Sequence, residues 1–412
     1  MIDVNLISFK KKNLFTDTLI YTGSVVVARG LGILIFPILV ANMNESDLVH
    51  YDWVLTNVLL AVTFAVFGVD SAAGRMLADS ESDHQKIMQL SLITIAPQTI
   101  LSLVILFTIL TNSDIPMSVL DVIIITVLLL ASIFINQITN KAKWLLERNK
   151  VIVIQVSLGV SQALFLILVY MFGVLNFTTG LAAQMAGALF VAAYGMYKYN
   201  TGFPTLSIPV GLSAFFRKSA TLGINTLLAG IYLTLEKNII YQYTDTSASS
   251  LYLVHLKVVL LFTFGLSALQ ISVVPHLIKI LHEKNIRFFY LNNVIITILI
   301  ITCLGLFYLI SPYIFEFFTK KHTFSEKILT ILLLIQVIII FNSLCETLLI
   351  YLEAYRIMLL LNMIHIGLFL ILTFLFAGED LLAIILCSLL ALMAKLMLMT
   401  MLNIRYIKLV KA

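Results

Sequence analysis

About twelve apolar runs, most of them 20 residues or longer, divide the chain at 18–41, 49–69, 87–110, 118–138, 151–172, 179–197, 219–236, 251–275, 288–310, 328–350, 358–376 and 381–402. A helix rises 1.5 Å per residue and a bilayer's hydrocarbon core is about 30 Å thick, so roughly 20 apolar residues make one crossing. Inside that core every backbone polar group needs an internal partner, which an α-helix supplies by itself. The spacing therefore predicts an all-α polytopic membrane protein. The run at 219–236 is the weakest, because it carries Asn225, Thr226 and Glu236, and the run at 179–197 is short and rich in Gly and Ala. Composition agrees: 61% of residues are apolar and 11% charged, against about 45–50% and about 25% in soluble proteins. These values exclude a water-soluble globule, a disordered chain and a nucleic-acid binder.

The loops set the orientation. With the amino terminus inside, the inner segments hold 19 of the 26 Lys and Arg residues and the outer segments hold 4. Arg29, Lys257 and Lys395 make up the remainder, within the runs. Such an excess predicts that both termini are cytoplasmic and that the number of spans is even. A secretory signal is a poor reading of the start, since the stretch after Lys10, Lys11 and Lys12 is too long and contains Arg29. The formal charge of +5 then reflects basic loops at an anionic membrane face.

The inner connection at 198–218 contains Gly202, Pro204, Pro209 and Gly211 and splits the runs six and six. It predicts lobes at 1–197 and 219–412 with a cytoplasmic linker between. Both halves then start inside, so the repeat is parallel. Gly23 and Gly30 recur 200 residues later as Gly223 and Gly230, a faint trace of it. No segment outside the runs is large enough to form a catalytic domain, and GxxxxGK[ST], HExxH and GxSxG are absent. The reading is a protein that is not an enzyme and takes no cofactor. Cys303, Cys345 and Cys387 each sit in an apolar run, without metal-ligand or disulfide spacing.

Charges placed within the membrane point to function. Arg29 falls about 17 Å into the first run, where an arginine costs about 2.5–3.5 kcal/mol on insertion scales. Lys257 lies roughly 9 Å from the outer face and Lys395 about 10 Å from the inner one; each is within reach of snorkelling. Asp52 and Asp121 fall near outer run ends, and Asp70, Glu346 and Glu353 near inner ones. The interior is thus expected to hold cations without matching anions, facing a water-filled cavity suited to an anion. For Arg29 the competing reading is a structural pair with a buried acid. Asn57, Asn225 and Gln270 are candidates to line the cavity, or to join helices by hydrogen bonds. Candidate coupling groups are Asp70, Glu236 and Glu346. His255 and His365 read as packed or hydrogen-bonded rather than as proton relays.

The segment from Gly23 through Arg29, Gly30 and Gly32 to Pro37, followed by Asn44, Glu45, Ser46, Asp47 and Tyr51, resembles the first hairpin of Wzx-type polysaccharide flippases of the MOP exporter superfamily. The stretch from Phe67 to Arg75 and the basic connection at 141–150 are similar as well. The resemblance implies two six-helix bundles in a MATE-like V around a central cavity. It implies movement of undecaprenyl-pyrophosphate-linked oligosaccharide, an O-antigen or capsule repeat unit, across a bacterial inner membrane by alternating access. Arg29 and Lys257 fall where related lipid flippases hold the pyrophosphate, with Lys395 and the polar residues named above as further substrate ligands. It also implies a polysaccharide polymerase and a chain-length regulator as partners. The main alternative is a cation-coupled multidrug exporter of the same superfamily, which would need carboxylates in the cavity. A membrane glycan polymerase or ligase is a third reading, and would need a large outer catalytic loop.

Overall fold

The computed structural model describes residues 23, 27, 30–70, 72–73, 84–113, 115–144, 147–199, 212–282, 286–319, 321–352 and 354–411. Arg29 and most of the 198–218 connection lie outside them. Every regular element among the described residues is helical. In chain order they are α1 (Gly30–Asn42), α2 (Glu45–Val66), α3 (His84–Thr111), α4 (Val119–Trp144), α5 (Arg148–Met171), α6 (Phe177–Tyr199), α7 (Leu212–Tyr243), α8 (Thr246–His282), α9 (Ile286–Phe318), α10 (Glu326–Tyr351), α11 (Tyr355–Leu372) and α12 (Leu381–Lys411). Each matches one apolar run. Ten of them are long and apolar enough to cross a membrane; α7 has the length but, as its run foretold, is too polar to be counted.

Local chemistry sets the ends. Asn44 caps α2 by accepting a bond from the Asp47 amide at 2.6 Å, and Glu45 and Asp47 face the positive end of the helix dipole. α2 stops where Phe67 and Gly68 take φ values of 34° and 73° in succession, which breaks the helical repeat. Ser325 caps α10. Pro312 lies inside α9 and has no N–H to give the Tyr308 carbonyl. The Ser311 hydroxyl donates to that carbonyl at 2.7 Å instead, which restores a bond the membrane interior requires. α11 ends in one π turn (Thr373–Ala377) before Gly378 at φ 54°.

Packing is densest within two sets of helices, α2–α6 and α7–α12. Within the first, α5 lies on α6, α4 on α6 and α2 on α3; within the second, α10 lies on α12, α8 on α10 and α9, and α11 on α12. The sets meet mainly along α2, which packs on α7 and α8. α2 is accordingly the most enclosed span, with 72% of its window buried, whereas α9 at 11% faces outward. The outward faces of α9 and α11 carry bare side chains such as Leu309, Phe317, Phe374 and Phe376, as a surface in contact with lipid chains requires. The chain is therefore a multi-pass membrane protein.

The α2–α7 seam is close over its whole length. At one end Gly68 faces Gly223, where a Cβ on Gly68 would stand 2.4 Å from the Gly223 nitrogen, and Ser219 donates to the Phe67 carbonyl at 2.8 Å. Gly230 faces Thr63. Gly223 and Gly230 thus serve close helix packing. Among the described residues, their sequence counterparts Gly23 and Gly30 have no neighbour within 4 Å of an added Cβ.

Candidate functional site

Charge collects where α2, α7 and α8 meet, about 10 Å along α2 from Glu45. Asp52 is buried, with a side chain 7% exposed. Its Oδ1 accepts from Lys257 Nζ at 2.7 Å, and its Oδ2 accepts from Lys237 Nζ at 2.7 Å and from the Tyr241 hydroxyl at 3.0 Å. Lys237 also donates to Thr56 Oγ1 at 3.1 Å. Lys257 lies 5.4 Å from the centre of the Phe36 ring on α1, a cation–π contact that helps hold an ammonium group in an apolar setting. Two ammonium groups therefore share one carboxylate, and the trio carries one net positive charge.

This corrects the expectation of interior cations without anions. Lys257 does not snorkel free but pairs with Asp52, which is buried among the helices. The sequence ended the seventh run at Glu236, which left Lys237 outside, but α7 continues to Tyr243 and carries Lys237, Asn238 and Tyr241 into the bundle. α2 likewise begins at Glu45, not at residue 49, which draws Asp52 inward. The readable signal was the spacing of Lys237 and Tyr241, four residues apart and hence on one face of any continuing helix.

Further bonds join the two sets at this end. Asn57 and Asn238 exchange amide bonds at 3.0 and 3.2 Å. Asn57 also donates to the Trp53 carbonyl at 2.9 Å, so it fastens the halves together. Lys321 donates to the Met43 carbonyl at 3.3 Å, and the Phe36 and Phe318 rings lie 6.0 Å apart. In the α9–α10 loop, His322 bonds Ser250 at 3.1 Å and stands 3.9 Å from Glu45. Burial pushes the His322 imidazole below its usual 6.5; Glu45 opposes that shift and Lys321 adds to it.

The remaining candidates sit elsewhere. Glu236 is buried between α7, α8 and α12, where the Tyr252 hydroxyl donates to it at 2.8 Å and the Ser388 hydroxyl also donates. Tyr232 bonds Ser388 at 3.0 Å and packs on His365, whose Nε2 has no hydrogen-bond partner among the described residues. Lys395, also expected to lack an anion, is buried and donates to Glu346 at 3.0 Å and to Asn362 at 2.8 Å. Asn225 donates weakly to the Tyr355 carbonyl at 3.4 Å, and its Oδ1 has no partner among the described residues. Asp70 accepts from Asn140 at 3.5 Å. His255 is satisfied: its Nε2 accepts from the Ser325 amide at 3.0 Å, its Nδ1 bonds the Leu251 carbonyl at 2.8 Å, and it packs between Phe315 and Phe324. The side chain of Gln270, like Arg29, lies outside the described residues. The structure thus brings Lys257 and Asn57 together with Asp52, Lys237 and Tyr241, and keeps Lys395 with Glu346 and Glu236 with Ser388 as separate groups.

The fold has solved counterparts. One, described as the outward-facing conformation of a multidrug resistance MATE family transporter of the MOP superfamily, is 12% identical, covers 96% of both chains and superposes with a TM-score of 0.69. The inward-facing conformation of such a transporter is 14% identical over 96% of this chain and 95% of that one, with a TM-score of 0.70. A MOP superfamily transporter from Pyrococcus furiosus, described as having a binding pocket of reversed polarity, is 13% identical over 96% of both, with a TM-score of 0.68. Comparison with curated protein sequences finds no match. A family profile for polysaccharide biosynthesis proteins matches residues 14–280, from before α1 to near the end of α8. With that match spanning well over half of its length, the chain belongs to the polysaccharide biosynthesis protein family, built on the fold of the MOP superfamily transporters.

Proposed function

We propose that the protein is a flippase that carries a lipid-linked oligosaccharide, with a pyrophosphate between lipid and sugar, from the inner to the outer leaflet of a bacterial plasma membrane. The observation that carries this reading is the pair Lys237 and Lys257 on a single carboxylate, set where the two helix sets meet in a protein of a polysaccharide family. The lipid tail stays in the bilayer while the head group passes between the sets. The pyrophosphate is the part hydrocarbon rejects most strongly, and a cationic passage lowers that barrier. Arg29 belongs to the same reading as a deep pyrophosphate ligand, and its planar fork suits phosphate oxygens. The lobes 1–197 and 219–412 rock about the 198–218 linker. Both termini are cytoplasmic. A polysaccharide polymerase and a chain-length regulator use the product on the outer side, and the protein itself makes or breaks no covalent bond.

The test uses cells that make the lipid-linked unit but lack this protein. The native chain restores surface polysaccharide, Arg29→Ala does not, and Arg29→Lys restores part of it, all at equal amounts in the membrane. Full export by Arg29→Ala would remove the central anion site. With the native cysteines replaced, new ones at Ser113, Asn176 and Gly378 react with an impermeant reagent from outside, and one at residue 205 does not; the reverse pattern overturns the orientation.

A cation-coupled multidrug exporter is the second reading. Asp52 and Glu236, both buried carboxylates in the bundle, favour it, since such exporters need interior acids. In proteoliposomes it predicts gradient-driven uptake of a cationic dye, lost in Asp52→Asn. The flippase reading predicts no dye transport and movement of a pyrophosphate lipid between leaflets.

A further inference from the structure

Asp52 has the bonding partners of a bound phosphate. Its oxygens take two ammonium groups and a phenol hydroxyl, with the Thr56 hydroxyl at the edge. The origin of the groups is uneven. Lys237, Tyr241 and Lys257 belong to α7 and α8 of the second set, whereas Asp52 reaches them from α2 of the first. If α2 draws away at this end, the anion leaves with it and the donors stay behind with two positive charges. A dianionic or more highly charged group would then fill the cage better than one carboxylate did.

We propose that Asp52 is a resident counter-ion that the substrate's pyrophosphate displaces, that Lys237, Tyr241 and Lys257 are the ligands it displaces onto, and that this exchange releases the two helix sets from each other at the Glu45 end. The inference rests on the flippase reading and adds to it the phosphate ligands and the link between binding and opening. Its physical content is mutual exclusion. Asp52 and the phosphate compete for the same donors, so whatever weakens one strengthens the other, and the coupling is reciprocal. Among the described residues, the other polar contacts across this end are the Asn57–Asn238 amide pair at 3.0 and 3.2 Å, Lys237 on Thr56 at 3.1 Å, Lys321 on the Met43 carbonyl at 3.3 Å and His322 at 3.9 Å from Glu45, all longer than the 2.7 Å bonds that the two lysines make to Asp52. A substrate that removes the Asp52 bonds therefore removes the strongest of them. Arg29, with its own role, is not needed for the exchange.

The experiment uses the full chain in lipid nanodiscs, without its native cysteines, spin-labelled at Ala41→Cys and Thr323→Cys on either side of this end. Both positions are exposed. The probes are a long-chain polyprenyl pyrophosphate, the matching polyprenol and inorganic pyrophosphate. Polyprenyl pyrophosphate is expected to lengthen the label distance and the polyprenol to leave it unchanged. Inorganic pyrophosphate that lengthens it alone assigns recognition to the headgroup; lengthening by the lipid form only assigns it to headgroup and tail together. Asp52→Asn should shift the distance towards the long value without any probe and bind polyprenyl pyrophosphate about tenfold more tightly, the scale of one charge-assisted bond released. Lys237→Gln and Lys257→Gln should each weaken binding about tenfold, and the double variant Asp52→Asn/Lys237→Gln should return it towards native. If Asp52→Asn does not accumulate, the two lysine variants decide alone, since lysines that only hold the fold leave affinity unaltered. Native protein that binds polyprenyl pyrophosphate, with affinity and distance indifferent to these variants, overturns the exchange while the flippase reading stands. Native protein that binds none of the probes and restores no export brings down the flippase reading itself.

Discussion

Asp52 and Lys257 stand 205 residues apart in the chain and 2.7 Å apart in the fold, and with Lys237 they form the charged join between α2 and the helices α7 and α8. Their burial makes the join asymmetric in its energetics. Removing the carboxylate leaves two ammonium groups facing each other in a poorly solvated place, whereas removing one lysine leaves a complete ion pair.

Asp52→Ala is accordingly expected to destabilise the protein by about 3–5 kcal/mol, the usual effect of orphaning a buried charge. Lys257→Met should cost distinctly less, because Lys237 still neutralises Asp52. Thermal unfolding in one detergent reads both variants. Equal losses would mean that the aspartate and the lysines do not form one unit.

Gly68 gives a second prediction, at the other end of the α2–α7 seam. Its φ of 73° disfavours any residue with a side chain, and an added Cβ would lie 2.5 Å from the Ser219 carbonyl oxygen and 2.4 Å from the Gly223 nitrogen. The backbone strain alone is worth about 1–3 kcal/mol, and the clash must be relieved by parting the helices. Gly68→Ala should lower the unfolding temperature and the yield of folded protein. Gly173→Ala, at φ 67° with nothing among the described residues near an added Cβ, should show the strain without the clash. A Gly68→Ala variant no less stable than Gly173→Ala would show that the seam is not tight.

The number of helices and their order were legible because apolar length is a strong, local signal. The site was less so, for a specific reason. A polar residue near the end of an apolar run reads as a loop residue, yet a helix that packs against other helices can carry it several turns into the bundle. Lys237 and Asp52 were lost this way, one just after a run and one just inside the start of another. The pairing of Lys395 with Glu346 was hidden differently: the two lie 49 residues apart in sequence, and only the packing of α10 against α12 brings them together. The identity of the neighbour across a helix seam was not readable from either run alone.

His322 yields a pH dependence. It lies in the α9–α10 loop, and burial holds its pKa below the usual 6.5. The folded state then binds fewer protons at this site than the unfolded state does. Stability from this group is complete above about pH 6.5 and declines as the pH falls from there towards the lowered value. Unfolding temperature followed over roughly this range should drop less in His322→Gln than in native protein. Identical curves would show that the loop does not feel this histidine.

The last prediction concerns Lys395, Glu346 and Asn362 between α10, α11 and α12. The lysine side chain is 10% exposed and that of its carboxylate partner 24%, and both bonds are made within the second set of helices. This geometry favours a role in fastening those helices over a role in holding substrate. Glu346→Gln alone should destabilise, since it leaves a buried ammonium with only an amide partner. Adding Lys395→Met to it should recover part of that loss, because an apolar chain of similar volume needs no counter-ion. A double-mutant cycle on unfolding should therefore give a coupling energy within the usual range of about 0.5–3 kcal/mol for groups in one network. Export measured alongside separates the two roles. If the double variant is stable yet exports nothing, Lys395 holds substrate after all. If it exports in proportion to the protein that accumulates, the triad is a fastening and the transport charge lies with the Asp52 cluster and Arg29.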